Sequence, residues 1–264
     1  MRQQILKVSF TKKIKDNIKG LGIASQLVID TFICIIKGQI NIKNTIIQMV
    51  EVGYMSFPIV LLTSFFVGMV LALQVGSATA NLFNEPVYIG MITGYSLVKE
   101  LGPVLTSVVI TGRIGAAITA EIGTMKVTEQ IDALYTLGTN PVRYLAVPRF
   151  IACILMLPLL VAISNIVGIY GGLVVSNLTW DIPSTVYIGD ILDVMTVQTF
   201  LHGFIKSFFF AGILVTVACH KGFQCSGGAE GVGKATTSSV MVTMILMLVS
   251  DYFLTDLLTS LKIF

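Results

Sequence analysis

Long runs of apolar residues dominate the chain after residue 56 and predict helices that cross a membrane. An apolar helix needs about 20 residues to span the ~30 Å hydrocarbon core of a bilayer. Stretches of this kind lie at about residues 57–75, 87–112, 147–176, 200–219 and 240–261. We therefore predict an all-α integral membrane protein with five transmembrane helices.

A shorter apolar stretch, residues 21–36, precedes these five and is broken by Gln26 and Asp30. It is too short and too polar to span, and it follows a basic segment, which is typical of an amphipathic helix at the membrane interface. We predict an interfacial or re-entrant helix here. The predicted organisation is a basic N-terminal segment, residues 1–50, followed by a five-span domain, residues 51–264.

The composition supports a membrane protein and excludes several other classes. Of the 264 residues, 55% are hydrophobic and only 12% are charged, and the mean hydropathy is +0.88. Globular chains carry roughly 25% charged residues. A cytosolic enzyme, a disordered tail and a nucleic-acid binder are therefore excluded, and the net charge of +3 is too small for a phosphate-binding surface.

The distribution of lysine and arginine predicts the orientation, because these residues collect in cytoplasmic loops. Eight precede the first span, four lie in residues 113–149 and two follow the fourth span, whereas the loops at about 76–86 and 177–199 contain none. We expect the amino terminus in the cytoplasm and the carboxyl terminus outside, which requires an odd number of spans.

Ionisable residues inside the predicted spans are candidates for function, since such side chains usually face the bundle interior or water. Lys99 and Glu100 lie in the second span and Lys206 in the fourth. A contact between Glu100 and Lys206 is geometrically possible at their depths of ~20 Å and ~10 Å from the outer end. It could be an ion pair that fixes helix register, or a polar patch that lines a substrate cavity. Asp251 and Asp256 in the last span are expected to be solvated or interfacial.

The remaining reactive residues do not suggest a catalytic or metal site. His202 and His220 lie near opposite ends of the fourth span, and the four cysteines lack the spacing of a zinc site. No Ser, His and Asp set shares a common depth. An apolar interior with a small polar patch suits an amphiphilic substrate such as a lipid, and we expect this chain to bind no metal or cofactor.

The predicted cytoplasmic loop of residues 112–149 contains the pattern of a short amphipathic helix. Thr128 is the predicted N-cap, with Glu129 and Asp132 in the first turn. Apolar residues then follow at helical spacing, namely Ile131, Leu134 and Leu137. Gly138 and Pro141 are expected to end the helix. The helix could rest on lipid headgroups or bind a partner. Helices built for lipid carry lysine and arginine on the polar face, so the acidic residues here, including Glu121, favour a protein partner.

The segment from Gly227 to Thr237 resembles a phosphate-binding loop only in part. Gly228, Gly233 and Lys234 match the glycine and lysine positions, but Ala235 stands where a serine or threonine binds magnesium. The segment also lies between two predicted spans with no preceding strand. We predict a flexible or tightly turned connector rather than a nucleotide site.

Several motifs together resemble the MlaE/YrbE family of ABC-transporter permeases, with a match that extends from about Val52 onward. These motifs are GMVLALQ at 68–74, KELGPVLTS at 99–107, GRIGAAITAEIGTMKVTEQIDAL at 112–134, PRF at 148–150, GGAEGVGKATT at 227–237 and SDYFLT at 250–255. The long central motif is the most specific of them, and the first 50 residues are much less diagnostic.

The resemblance implies a homodimer in which each copy has an interfacial helix and five spans. Two cytoplasmic ATPase subunits would clasp the dimer and a ring of periplasmic MCE-domain proteins would cover it. A helix around Glu121 to Leu137 would be the coupling helix that docks on the ATPase. The residues implied for coupling are Glu121, Lys126, Glu129, Asp132 and Leu134, and those implied to line or border the lipid cavity are Lys99, Glu100 and Lys206.

The implied function is that of a permease subunit in an ATP-driven transporter. Members of this family are associated with phospholipid movement between the inner and outer membranes of Gram-negative bacteria, which implies a multi-pass protein of the inner membrane. ATP and magnesium would be bound by the partner ATPase, so the chain itself would not be an enzyme. The rival functions are a scaffold or passive channel without ATP coupling and a membrane-bound lipid-modifying enzyme.

Overall fold

The computed structural model describes residue 20, residues 22–83 and residues 85–260, and this part of the chain is almost entirely helical, without a β-strand. Its helices are α1 Gly22–Ile36, α2 Ile42–Val52, α3 Phe57–Phe83, α4 Ile89–Ser96, α5 Gly102–Ile110, α6 Ala116–Val127, α7 Gln130–Thr136, α8 Val147–Trp180, α9 Ser184–Val194, α10 Val197–Phe223 and α11 Gly228–Ser260. One 3-10 turn, Tyr54–Ser56, and three π-helical turns, Leu97–Leu101, Thr111–Gly115 and Val142–Ala146, connect some of them.

Five helical units within the described residues are long and apolar enough to cross a membrane, which confirms the predicted architecture. Spans 1 to 5 are Ile42–Phe83, Ile89–Val127, Val142–Trp180, Val197–Phe223 and Gly228–Ser260. Each is longer than the apolar stretch that predicted it, because helix continues into polar residues at the ends. The predicted domain boundary between residues 50 and 51 falls within α2 and stays a prediction.

Span 2 passes through Gly102 and Pro103 as a continuous helical path, although a proline inside a helix usually kinks or breaks it. The π turn Leu97–Leu101 precedes this pair, and the Gly102 N–H donates to the carbonyl of Leu97 five residues back. Pro103 then occupies the start of α5, where a missing N–H is tolerated. The extra residue of the π turn therefore accommodates the proline, and π turns of this kind are frequent at functional sites.

Close glycine contacts hold spans 1 and 3 together. A Cβ on Gly68 of α3 would lie 1.8 Å from the carbonyl oxygen of Gly168 in α8, and a Cβ on Gly171 would lie 2.2 Å from the carbonyl oxygen of Phe65. Small residues at such crossings let helix backbones approach within membranes. Spans 2, 4 and 5 pack through α6, α10 and α11, so the core of the bundle lies between α8 and this trio.

The helix α1 lies against spans 3 and 4 rather than apart from the bundle. Its Thr31 and Cys34 side chains are buried, Leu27 packs on the main core, and the Phe32 ring lies 5.3 Å from that of Phe150. The opposite side carries exposed apolar residues such as Ile29. The predicted helix is therefore present over its described residues, while Leu21 lies outside them.

The connection between spans 4 and 5 differs from the prediction of a flexible or turned connector. Helix α11 begins at Gly228, so most of the glycine-rich segment forms its first turns. Gly227 and Gly228 have positive φ angles, and the connection between the two helices is residues 224–227. Lys234, in the phosphate-loop position, pairs with Glu230 one turn earlier at 2.6 Å. A helix thus replaces the loop that a phosphate site would require.

Candidate functional site

Four polar side chains from spans 2, 4 and 5 meet inside the bundle around Lys206. The Lys206 side chain is fully buried and forms ion pairs with Glu100 and, at 2.9 Å, with Oδ1 of Asp251. It also donates to Thr255 Oγ1 at 2.7 Å. We call Glu100, Lys206, Asp251 and Thr255 the charge cluster. The predicted contact between Glu100 and Lys206 is confirmed.

The helix boundaries explain why these residues meet. Glu100 lies 11 residues from Ile89 at the start of span 2, and Lys206 lies nine from Val197 at the start of span 4. Asp251 lies nine from Ser260, the last residue of α11. At ~1.5 Å per residue these depths are about 16, 14 and 14 Å from the same end of the bundle. The three charged side chains therefore lie at about the same level, roughly three turns inside the helix ends.

The charge cluster is unbalanced and open on one side. One lysine faces two carboxylates, of which Glu100 remains 34% exposed and Asp251 21% exposed, while Lys206 is fully enclosed. Ionised carboxylates at mid-bilayer depth usually face protein or a water-filled cavity, because lipid hydrocarbon solvates charge poorly. The open side of this cluster therefore leaves both carboxylates accessible to water or to another polar group.

Lys99 does not join the charge cluster, although it is the neighbour of Glu100 in sequence. Its ammonium donates to Tyr95 Oη at 2.6 Å, and lies 4.9 Å from the centroid of that ring. Consecutive residues on a helical turn point in different directions, so Glu100 turns toward span 4 and Lys99 toward Tyr95. Its predicted place along a cavity stays a prediction.

Asp251 and Thr255 are the residues of the charge cluster that sequence reasoning missed. Asp251 was expected to be solvated or interfacial, and this was wrong, because it pairs with Lys206. Asp256 is exposed, as expected. The spacing of Asp251 and Thr255 carried the missing signal: residues four apart share one face of a helix, and that face turns toward Lys206.

The second candidate region is the end of the bundle that carries α7, which we call the α7 end. The predicted single helix around Glu121 to Leu137 is wrong in detail, because the chain forms two helices, α6 and α7, that break at Thr128 and Glu129. Thr128 is the C-cap of α6, and its hydroxyl donates to the carbonyl of Thr124. Glu129, with a φ of 61°, therefore stands at the N-cap position predicted for Thr128.

Two of the three acidic residues predicted to face a partner are paired within the chain. Glu121 forms an ion pair of 2.6 Å with the buried guanidinium of Arg149, which joins the end of span 2 to the start of span 3. Asp132 forms an ion pair of 3.1 Å with Lys126 across the α6–α7 break. Glu129 is exposed and has no ion-pair partner among the residues that the structure describes.

Helix α7 packs through one apolar face and presents other apolar side chains to its surroundings. Ile131 is buried, and Leu134 packs on the main core. Leu137 was expected at the same helical spacing, but it is 77% exposed, and Tyr135 is 62% exposed. Large exposed apolar side chains beside Glu129 make this surface suitable for a protein partner. The spacing of apolar residues in the sequence did not by itself indicate this exposed apolar surface.

The described residues contain no group of three or more His, Cys, Asp or Glu side chains placed to hold a metal ion. Cys34, Cys153, Cys219 and Cys225 are buried free thiols. His202 and His220 lie on α10 more than four turns apart.

A bundle of five membrane-length helices with an ion cluster at its centre defines a multi-pass integral membrane protein. The family model for the MlaE permease matches residues 45–257, and the chain belongs to this family. It is 43% identical over 227 residues to a probable ABC transporter permease protein of Synechocystis sp., a match that covers 86% of each chain. It is 41% identical over 239 residues to another of Rickettsia prowazekii, covering 90% of this chain and 92% of the relative.

A probable ABC transporter permease protein of Pyropia yezoensis is also similar, at 41% identity over 216 residues and 82% of each chain. The matched region of the family model contains both the charge cluster and α7. The chain is therefore a transmembrane transporter subunit of the ABC permease class. The resemblance inferred from its motifs is confirmed.

Proposed function

We propose that this permease moves phospholipid between the inner and outer membranes, driven by ATP that a separate ATPase subunit hydrolyses. The observation that carries the proposal is the charge cluster. A buried lysine with two partly open carboxylates in an otherwise apolar bundle offers polar contacts to a headgroup at mid-membrane depth. The surrounding apolar helices suit acyl chains, so the region matches an amphiphile.

The open side of the charge cluster supports a homodimer whose two copies enclose the lipid cavity. Glu100 is one-third exposed in the single chain, and exposure of a carboxylate to hydrocarbon is costly. Spans 1 and 5 are also the least buried of the five within one chain. A second copy packed against these helices would cover the carboxylates and leave a cavity between the two charge clusters.

The α7 end supports a docking surface for the ATPase. Exposed Tyr135, Leu137 and Glu129 would enter a groove of the partner, and Lys126, Asp132 and Leu134 would hold α7 in position. The ion pair between Glu121 and Arg149 ties this surface to spans 2 and 3, so that movement of α7 would be passed to the spans. In this proposal the ATPase subunit binds ATP and magnesium.

The family resemblance adds a periplasmic MCE-domain protein at the opposite end of the bundle. With the amino terminus in the cytoplasm, the α7 end faces the cytoplasmic ATPase, and α9 faces the periplasm. The carboxyl terminus then lies on the periplasmic side, and the protein resides in the inner membrane. The count of lysine and arginine in the loops supports this orientation.

The test is ATP-dependent phospholipid transfer by the complete complex reconstituted in vesicles. We expect Glu100→Ala to lower the transfer rate while the complex still assembles, because it removes a headgroup contact. Lys206→Ala should lower the rate further, because loss of the buried cation also weakens the bundle. Lys99→Ala serves as the neighbouring control, since Lys99 lies outside the charge cluster. If both Glu100→Ala and Lys206→Ala transferred phospholipid at the wild-type rate, the charge cluster would have no role in transport, and the Glu100–Lys206 contact would be only a structural ion pair.

A further inference from the structure

An amphiphilic cavity lies apart from the charge cluster, beneath helix α1. It has a volume of about 930 Å³ and is lined by α1 together with spans 3, 4 and 5. We call it the α1 groove. Its apolar walls include Val28 and Phe32 of α1, Phe150 and Ile154 of α8, and Phe209 and Ile213 of α10. None of the charge-cluster residues lines it.

The α1 groove changes from apolar to polar along its length. Phe209 and Gly212 line it near the middle of span 4, whereas His220, Lys221 and Gln224 line it at the α7 end. Lys221 is half-buried and has no ion-pair partner within the described part of the chain. A cation without a counter-charge at the mouth of an apolar groove favours an anionic ligand.

The length of the α1 groove matches one leaflet of a bilayer. Phe209 and His220 are 11 residues apart on α10, which is about 16 Å along the helix axis. Half of the ~30 Å hydrocarbon core is ~15 Å. The apolar part of the groove therefore covers the depth of the acyl chains of one leaflet, and Lys221 lies at the level of the headgroups.

The volume of the α1 groove lies in the range of sites for small amphiphilic molecules. Cavities of roughly 300–1,000 Å³ are typical of sites for small molecules. Exposed Phe209 and Leu246 on the walls belong to membrane spans, so lipid chains have direct access to the groove.

We propose that the α1 groove binds one glycerophospholipid from the leaflet on the α1 side, as a resident ligand rather than as transported cargo. An acyl chain lies along Phe209, Ile213 and Ile154, and the phosphate lies beside Lys221, where the ammonium and the Gln224 amide can donate to it. The bound lipid links α1 to spans 3 and 4. This site depends only on the embedding of the chain in a membrane and not on the transport function.

Gly212 offers a way to fill the α1 groove without disturbing its walls. A Cβ added to Gly212 meets no atom within 4 Å, so the side chain of Gly212→Leu projects into open space beside Ile213. Gly189 of α9 is a helical glycine with equally open surroundings, and it lies outside the groove. Gly189→Leu is therefore the matched control.

The probe is phosphatidylglycerol with a diazirine at the end of one acyl chain, in phosphatidylethanolamine vesicles that contain the full-length protein. We expect light-induced labelling at Ile154, Phe209 and Ile213 above the labelling of Ile166, an exposed residue of α8. Gly212→Leu should lower groove labelling about tenfold, a change equivalent to about 1.4 kcal/mol of binding free energy. Gly189→Leu should leave it unchanged.

A headgroup comparison separates phospholipid binding from simple wetting of the α1 groove by hydrocarbon. Diacylglycerol with the same diazirine should label the wild-type groove less than phosphatidylglycerol does, and Lys221→Gln should remove this difference. Labelling no greater than at Ile166, or insensitive to Gly212→Leu, would overturn the proposal. It would also be overturned if a photoreactive group at Ile213 captured residues 1–19 of the same chain instead of lipid.

Discussion

The ammonium of Lys206 in α10 lies 2.9 Å from a carboxylate oxygen of Asp251 in α11, with the lysine fully enclosed and the aspartate partly open. This contact joins spans 4 and 5 inside the bundle, and the Glu100 pair joins span 2 to the same lysine. One cation therefore holds three spans, while the two carboxylates keep an open side. The arrangement can serve both the packing of the bundle and the recognition of a polar group.

Loss of the buried cation should destabilise the bundle strongly. Lys206→Met leaves Glu100 and Asp251 close together without a counter-charge, and removal of one partner from a buried ion pair costs about 3–5 kcal/mol. Lys99→Met is the matched control, because the Lys99 ammonium contacts Tyr95 and lies outside the charge cluster, and an exposed cation–π contact contributes about 0.5–1 kcal/mol. Chemical unfolding in detergent measures the stability of both variants. Equal stability of the two variants would show that the ion pairs do not support the fold.

The crossing of α3 and α8 should tolerate no added carbon at Gly68. Gly68→Ala places a Cβ against the carbonyl of Gly168 and forces the helices apart, and overpacking of this kind costs about 1–3 kcal/mol. Gly189→Ala adds the same atom in open space and should be neutral, or stabilising by up to about 1 kcal/mol. Thermal unfolding of the two variants provides the comparison. A Gly68→Ala protein as stable as wild type would contradict the close approach.

The α7 end should be required for association with the ATPase. We expect Glu129→Lys combined with Asp132→Lys to reverse the charge of this surface and weaken ATPase binding at least about tenfold, equivalent to about 1.4 kcal/mol. Because Asp132 also pairs with Lys126, a second variant, Tyr135→Ala with Leu137→Ala, removes exposed contacts without breaking an ion pair. Co-purification and ATP turnover measure the loss.

A control for this docking surface lies on α9 at the other end of the bundle. Asp193 is exposed there, and Asp193→Lys reverses one acidic charge away from α7, half of the change made in the double variant. It should leave ATPase binding at the wild-type level. Unchanged co-purification and ATP turnover in both α7 variants would remove the proposed docking role.

The number and order of the spans were predictable from the sequence because each requires a long apolar run. The full lengths of the helices were not predictable, because the apolar residues stop at the edge of the hydrocarbon core whereas the helical hydrogen bonds continue beyond it. Helix α11 illustrates this, because it begins at Gly228, about 12 residues before the predicted stretch.

The charge cluster was predictable only in part. The depths of Glu100 and Lys206 allowed a contact between them without requiring it, and Asp251 was misassigned because α11 is apolar on most sides. A sequence pattern of that kind does not indicate which face of the helix packs against a neighbouring helix.

The cap at Thr128 was predicted wrongly. The general preference of threonine for N-caps was outweighed by the hydrogen bond from the Thr128 hydroxyl back to the carbonyl of Thr124, which places Thr128 at the end of α6.

The most direct test of the central claim compares Asp251→Asn with Asp256→Asn in ATP-dependent phospholipid transfer by the reconstituted complex. Both variants neutralise one aspartate of α11, but Asp251 pairs with Lys206 and Asp256 is exposed. We predict at least about a tenfold lower transfer rate for Asp251→Asn, equivalent to about 1.4 kcal/mol, with assembly intact, and a wild-type rate for Asp256→Asn. Equal wild-type rates for both would contradict a role of the charge cluster in moving lipid.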